Sequence, residues 1–210
     1  MIFGRGQGYR IMRACVWFAM WPMYRIRVEG LENVPREGGA LLVANHQSML
    51  DIPLIGTRVR RTVTFVARDT LRKNPFLRWV IHTCGGITVK RGSADRAALD
   101  AMIAELSAGK LVAIFPEGTR SRDGSVRDFQ RGALLVAKRA GVPVIPMGVA
   151  GTGAVWPSGR PVPGPGRLGL ALGEPLPPRT DAAEVKAAVE TLAERAREHS
   201  GARRPRALTG

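Results

Sequence analysis

Histidine, cysteine and aromatic residues are scarce in this chain, and each scarcity removes a class of function. The three histidines, His46, His82 and His199, and the two cysteines, Cys15 and Cys84, stand far apart. They form no metal-ligand spacing and no disulfide framework, so no metal and no cofactor are expected, and both thiols are read as inert packing in a reducing compartment. Aromatics make up only 6% of residues, and Tyr9, Trp17, Phe18, Trp21 and Tyr24 crowd the N-terminus. The interleaved basic and aromatic surface of a single-strand nucleic-acid binder is therefore missing elsewhere. A GxSxG pattern is absent, which leaves a serine nucleophile elbow without support. Acidic residues are also few, 17 against 32 lysines and arginines, and the resulting charge of +15 points to an anionic partner.

A bilayer-spanning helix needs about 20 apolar residues. The uncharged stretch ACVWFAMWPMY at 14–24 is too short, contains Pro22, and ends in bulky side chains unlike a signal-peptide cleavage site. Arg5, Arg10 and Arg13 flank it on one side, Arg25 and Arg27 on the other. We read it as a short membrane-interfacial helix with tryptophans at head-group level and arginines on anionic lipid. A core helix with snorkelling arginines is the alternative.

Beyond it, apolar runs of strand length at 40–44, 62–67, 86–90, 111–115, 143–150 and 168–172 alternate with helical stripes. Leu99, Met102, Ile103 and Leu106 mark one stripe; Val185, Ala188, Val189, Leu192 and Ala196 mark another. The expected fold is α/β, with a mixed, largely parallel central sheet flanked by helices. Residues 1–27 form the interfacial segment, 28–200 the main domain, and 201–210 a frayed basic tail.

Two short stretches carry chemistry, and each follows a strand-like run, where open α/β sheets place ligands. NHQSMLD at 45–51 sets His46 five positions before Asp51, a spacing that suits a bend better than one helix face. Asp51, three residues after Ser48, would serve as part of a helix N-terminal capping box. It would equally face back toward His46, fix its tautomer and leave the other ring nitrogen as a general base toward a substrate hydroxyl. In FPEGTRS at 115–121, Arg120 offers a fork suited to a phosphate, and Gly118 lets backbone approach a ligand. Glu117 can accept from substrate hydroxyls or tie down that arginine. A surface turn closed by a salt bridge between Glu117 and Arg120 is the plainer role for these residues. His82, in the helix-like FLRWVIHT, and His199 are assigned structural roles.

NHQSMLD followed by FPEGTRS resembles the signatures NHxxxxD and FPEGTRS of the glycerolipid acyltransferase family, typified by 1-acyl-glycerol-3-phosphate acyltransferases. The likeness covers roughly residues 28–175, through VARDTLRKNPFLRWVIHTCGGITVKRG and VPVIPMGVAGT. It implies transfer of a fatty acyl group from acyl-CoA or acyl carrier protein to the 2-hydroxyl of lysophosphatidic acid. His46 would be the base and Asp51 its orienting partner. Arg120 and Arg91 would hold the acceptor phosphate, with Glu117, Gly118 and Thr119 completing the pocket and backbone amides after His46 meeting the oxyanion. Arg68 stands where family members usually carry lysine, which keeps the charge and changes its geometry. The implied setting is an anionic membrane surface, peripheral or monotopic on the cytoplasmic face, with no nucleic acid. Two alternatives remain: acylation of another lyso-lipid, or a non-catalytic basic module that binds membrane or nucleic acid.

Overall fold

The apolar runs become strands within a residue or two of their sequence limits. A computed structural model describes residues 5–68, 86–89, 96–130 and 132–205. Among these, one sheet contains β1 (Tyr24–Glu29), β2 (Ala40–Ala44), β3 (Val63–Arg68), β4 (Ile87–Val89), β5 (Leu111–Ile114), β6 (Val144–Ala150) and β7 (Gly166–Leu172), in the order β1-β7-β6-β2-β5-β3-β4. Every adjacent pair is parallel except β6 and β7. The helices are α1 (Arg5–Met20), α2 (Asp51–Arg58), α3 (Arg96–Ser107), α4 (Leu135–Ala140), α5 (Thr152–Val155) and α6 (Ala182–Ser200).

Central strand β2 is apolar throughout because both of its faces are covered. Leu41 and Val43 pack with Val112, Val144, Val185 and Val189 beneath α3, α4 and α6. Leu42 and Ala44 pack with Leu54, Ile55 and Ile145 on the side of α2. Complete burial of a leucine such as Leu41 or Leu42 stabilises by roughly 1.5–3 kcal/mol. Helix α6 lies close on β6 and β7 because Gly148 and Gly169 carry no Cβ: one there would strike the helix backbone at Leu192 and Ala193, or at Ala196.

Several expectations for the chain ends need correction. The 14–24 stretch is not one interfacial unit, since α1 ends at Met20 and Tyr24 already begins β1, which pairs in parallel with β7. A boundary between residues 27 and 28 would cut this strand. Its Tyr24, Ile26 and Val28 turn to the core and Arg25 and Arg27 to the surface, a period-two pattern that the nearby arginines disguised. Arg13 does not face lipid: its Nη1 donates to the carbonyls of Val59 at 3.3 Å and Arg60 at 2.9 Å, at the C-terminal end of α2 where a cation is favoured. Tyr9 Oη donates to Gly56 O at 3.3 Å, so α1 is fixed to the domain by both residues. Cys15 is exposed on α1 rather than packed; Cys84 lies outside the described residues.

Residues 201–205 do not fray but fold against the domain. Gly201 ends α6 with a φ of 61°, Ala202 is buried, and Arg204 Nη2 lies 3.3 Å from Glu194 Oε2. Pro205 stands against Gly124 and Gly153, where a Cβ would approach its ring to 2.9 and 2.8 Å.

Candidate active site

Strands β2 and β5 are neighbours with Val43 opposite Ile114, so the bends that follow them emerge side by side. Where β2 ends, Asn45 continues its hydrogen bonding with a side chain. Asn45 Nδ2 donates to Val149 O at 3.0 Å, and Val149 N donates to Asn45 Oδ1 at 2.7 Å. That pairing anchors the backbone just before His46.

The two bends are stitched together through His46. Its amide donates to Glu117 Oε1 at 2.9 Å, and its carbonyl accepts from Ser121 N at 2.7 Å. Its ring stacks on Phe115, with centroids 4.2 Å apart and planes at 19°. Ring nitrogen Nδ1 donates to Asp51 Oδ2 at 2.7 Å. The His46 side chain is 15% exposed while that of Asp51 is buried, so the imidazole is the member of the pair that solvent or substrate can reach. With Nδ1 engaged, the tautomer is set and Nε2 remains to accept a proton.

Asp51 turns back to His46 as expected but caps no helix, since α2 begins at Asp51 itself with its N-cap at Leu50 and no side-chain cap hydrogen bond. Its Oδ2 also accepts from Gln47 N at 2.7 Å and Ser48 N at 2.9 Å, and thereby tightens the bend. Ser48 does not complete a capping box; its Oγ accepts from Leu50 N at 3.3 Å and donates to Trp156 O at 2.9 Å. One expectation fails here: the amides of Gln47 and Ser48 are committed to Asp51, so neither is available to an oxyanion.

Glu117 differs from its expected role. It is only 5% exposed, and its second oxygen, Oε2, accepts from Arg127 N at 3.2 Å. Both oxygens therefore brace backbone, joining the NHQSMLD bend to the loop after FPEGTRS, and Arg120 is not its partner. Burial pushes its carboxyl up to about 7, against the opposing pull of the His46 and Arg127 amides. A carboxyl whose folded value exceeds its ordinary 4.5 stabilises the fold below that value, and this contribution is lost as pH rises from 4.5 to about 7. Over that window the unfolding free energy of the wild type should fall with pH more steeply than that of Glu117→Gln, by at most about 1.4 kcal/mol per pH unit. Urea titrations at pH 5 and 7 check this; equal slopes would remove Glu117 as the titrating group.

Gly118 has a φ of 65°, and a Cβ there would strike the Gln130 side chain, so the turn requires glycine. Thr119 and Arg120 project from the turn, both exposed. The bends thus bring together His46, Asp51, Glu117, Gly118, Thr119 and Arg120. Arg91, His82 and the side chain of Arg68 lie outside the described residues, and exposed His199 ends α6. Sequence reasoning missed Phe115 and Asn45, although each was visible as the residue joining an apolar strand to its polar motif.

The Acyltransferase family model matches residues 25–150. A chloroplastic 1-acyl-sn-glycerol-3-phosphate acyltransferase of Arabidopsis thaliana is 36% identical over 145 residues, 67% of this chain and 40% of its own length. A lyso-ornithine lipid O-acyltransferase of Pseudomonas aeruginosa is 35% identical over 128 residues, 60% of this chain and 48% of its own length. This chain therefore spans less than half the length of both relatives. The crystal structure of the 1-acyl-sn-glycerophosphate acyltransferase of Thermotoga maritima superposes with a TM-score of 0.79 at 36% identity, covering 95% of this chain and 82% of that one.

Proposed function

We propose, since this chain belongs to the acyltransferase family, that it moves a fatty acyl group from an acyl thioester to the 2-hydroxyl of 1-acyl-glycerol-3-phosphate, giving phosphatidic acid. The observation that carries the proposal is the partly exposed His46 ring, held by Asp51 at 2.7 Å and by Phe115 beneath it. A secondary alcohol is a weak nucleophile near neutral pH. His46 Nε2 takes its proton as the hydroxyl oxygen attacks the thioester carbonyl, and Asp51 stabilises the imidazolium that forms. The tetrahedral intermediate then collapses with expulsion of the thiolate. Because a free thiol ionises near pKa 8.5, this leaving group needs little help from an acid.

Arg120 and Thr119, exposed at the rim of the same site, are the groups we assign to the acceptor phosphate, together with Arg91. The likeness to a lyso-ornithine lipid acyltransferase favours a second reading, in which the acceptor is another lyso-lipid. Purified protein offered acyl-CoA and acyl carrier protein against lysophosphatidic acid and lyso-ornithine lipid tests both. Phosphatidic acid formation supports the first reading, acylation of the ornithine lipid alone the second, and no transfer to any acceptor refutes both.

Among the described residues no helix is long and apolar enough to cross a membrane. We assign α1 to the surface of an anionic, cytoplasm-facing membrane leaflet. Ile11, Phe18 and Trp21 are 51%, 64% and 66% exposed, and Trp17 stacks on Trp21 at 6.0 Å. The double substitution Phe18→Glu with Trp21→Glu is expected to weaken cosedimentation with anionic vesicles by more than about tenfold. Undiminished cosedimentation would remove α1 from the contact.

A further inference from the structure

We propose that a cleft beside Gln47 seats the phosphorylated pantetheine arm of the acyl donor, an assignment that rests on the acyl transfer proposed above. The cleft, about 250 Å³ in volume, is lined by Gln47, Gly124, Gly151, Arg203, Arg204 and Pro205, with α6 forming its floor. It lies on the α6 side of the sheet, whereas α1 packs on the opposite face with Met20 and Val16. A water-soluble donor and a lipid acceptor would thus approach His46 from different sides.

Gln47 follows His46 directly and is 6% exposed. Its Nε2 donates to Val149 O at 2.9 Å, but its Oε1 is buried without a partner. Such an oxygen needs a donor, and the amide N–H groups and hydroxyl of pantetheine are donors of the right kind. The charges around the cleft favour a phosphate. Glu194 is shared by Arg197 and Arg204, and Glu190 lies 3.5 Å from Lys186. Arg203 is exposed and has no acidic partner among the described residues. Arg167 reaches the same end of α6, its Nη1 2.6 Å from where a Cβ on Gly201 would stand. The wall itself is made by the ordered residues 201–205, which fold back so that Pro205 meets Gly124 and Gly153.

Coenzyme A and acyl carrier protein present the same phosphopantetheine thioester. Charge reversal of the two exposed arginines, Arg203→Glu with Arg204→Glu, is the test. The ratio of kcat/KM for acyl-phosphopantetheine to that for acyl-pantetheine, which lacks the phosphate, should fall by about tenfold or more. An unchanged ratio overturns the assignment. Loss with acyl-CoA but not with acyl-phosphopantetheine puts the contact on the nucleotide and overturns it as well. The wild-type preference between acyl-CoA and acyl carrier protein then identifies the source of the arm. If the wild type transfers no acyl group, the function fails, and titration with phosphopantetheine alone still decides the cleft: weaker binding by the variant upholds it, equal binding overturns it.

Discussion

Alanine at position 46 is expected to lower kcat by about 10²–10⁴-fold, the usual contribution of a positioned general base. The substitution isolates chemistry from folding because His46 is held by its backbone, with Glu117 accepting from its amide and Ser121 donating to its carbonyl. Those bonds survive the change. The stability lost is that of stacking on Phe115, about 0.5–1.5 kcal/mol, and of the hydrogen bond to the buried Asp51, about 1.5–3 kcal/mol. Steady-state assays alongside urea unfolding separate the two effects. A kcat within a few-fold of wild type, in protein of near-normal stability, would eliminate His46 as the base.

Substitution at Asp51 should split into two distinct outcomes. Three donors converge on Oδ2, whereas Oδ1 is buried without a partner. Asparagine can place its carbonyl oxygen where Oδ2 stands and its amide nitrogen where Oδ1 stands. Asp51→Asn would then retain the bend and the tautomer and lose only the negative charge that stabilises the imidazolium. A hydrogen bond to a charged group contributes about 1.5–3 kcal/mol, so kcat should fall by about 10–100-fold. Asp51→Ala leaves the Gln47 and Ser48 amides without an acceptor and should cost about 2–6 kcal/mol of stability. Chemical denaturation and single-turnover rates on both variants check this. An alanine variant as stable as wild type, or an asparagine variant as fast, would contradict the arrangement.

The strands and long helices were legible because local periodicity encodes them: ALLVA is buried on both faces, and the stripe from Val185 to Ala196 becomes the inner side of α6. The bend at His46 and Asp51 was legible for a related reason, since a five-residue separation fits a turn. Glu117 was misread because its decisive partners are backbone amides at positions 46 and 127, which no local pattern announces. Its neighbour Arg120, close in sequence and complementary in charge, offered a more obvious match. Likewise β1 was overlooked because its pairing with β7 joins residues 24–29 to 166–171, while the arginines in it suggested a surface flank. The packing of residues 201–205 was missed because glycine, proline and arginine composition describes local stiffness and solubility, not the two distant glycines that leave room for Pro205.

The antiparallel pairing of β6 with β7 also determines how the chain is oriented. Since β1 runs with β7, it enters the sheet at the edge where β2 and β5 leave it. Trp21, just before β1, is therefore carried to the rim that holds His46, while Tyr9 is moored near the far rim at Gly56. If Trp21 rests in lipid, as proposed above, the rim that holds His46 faces the leaflet. A lysolipid acceptor would then need only a short vertical excursion from its leaflet, and the acylated product would sink back without crossing water.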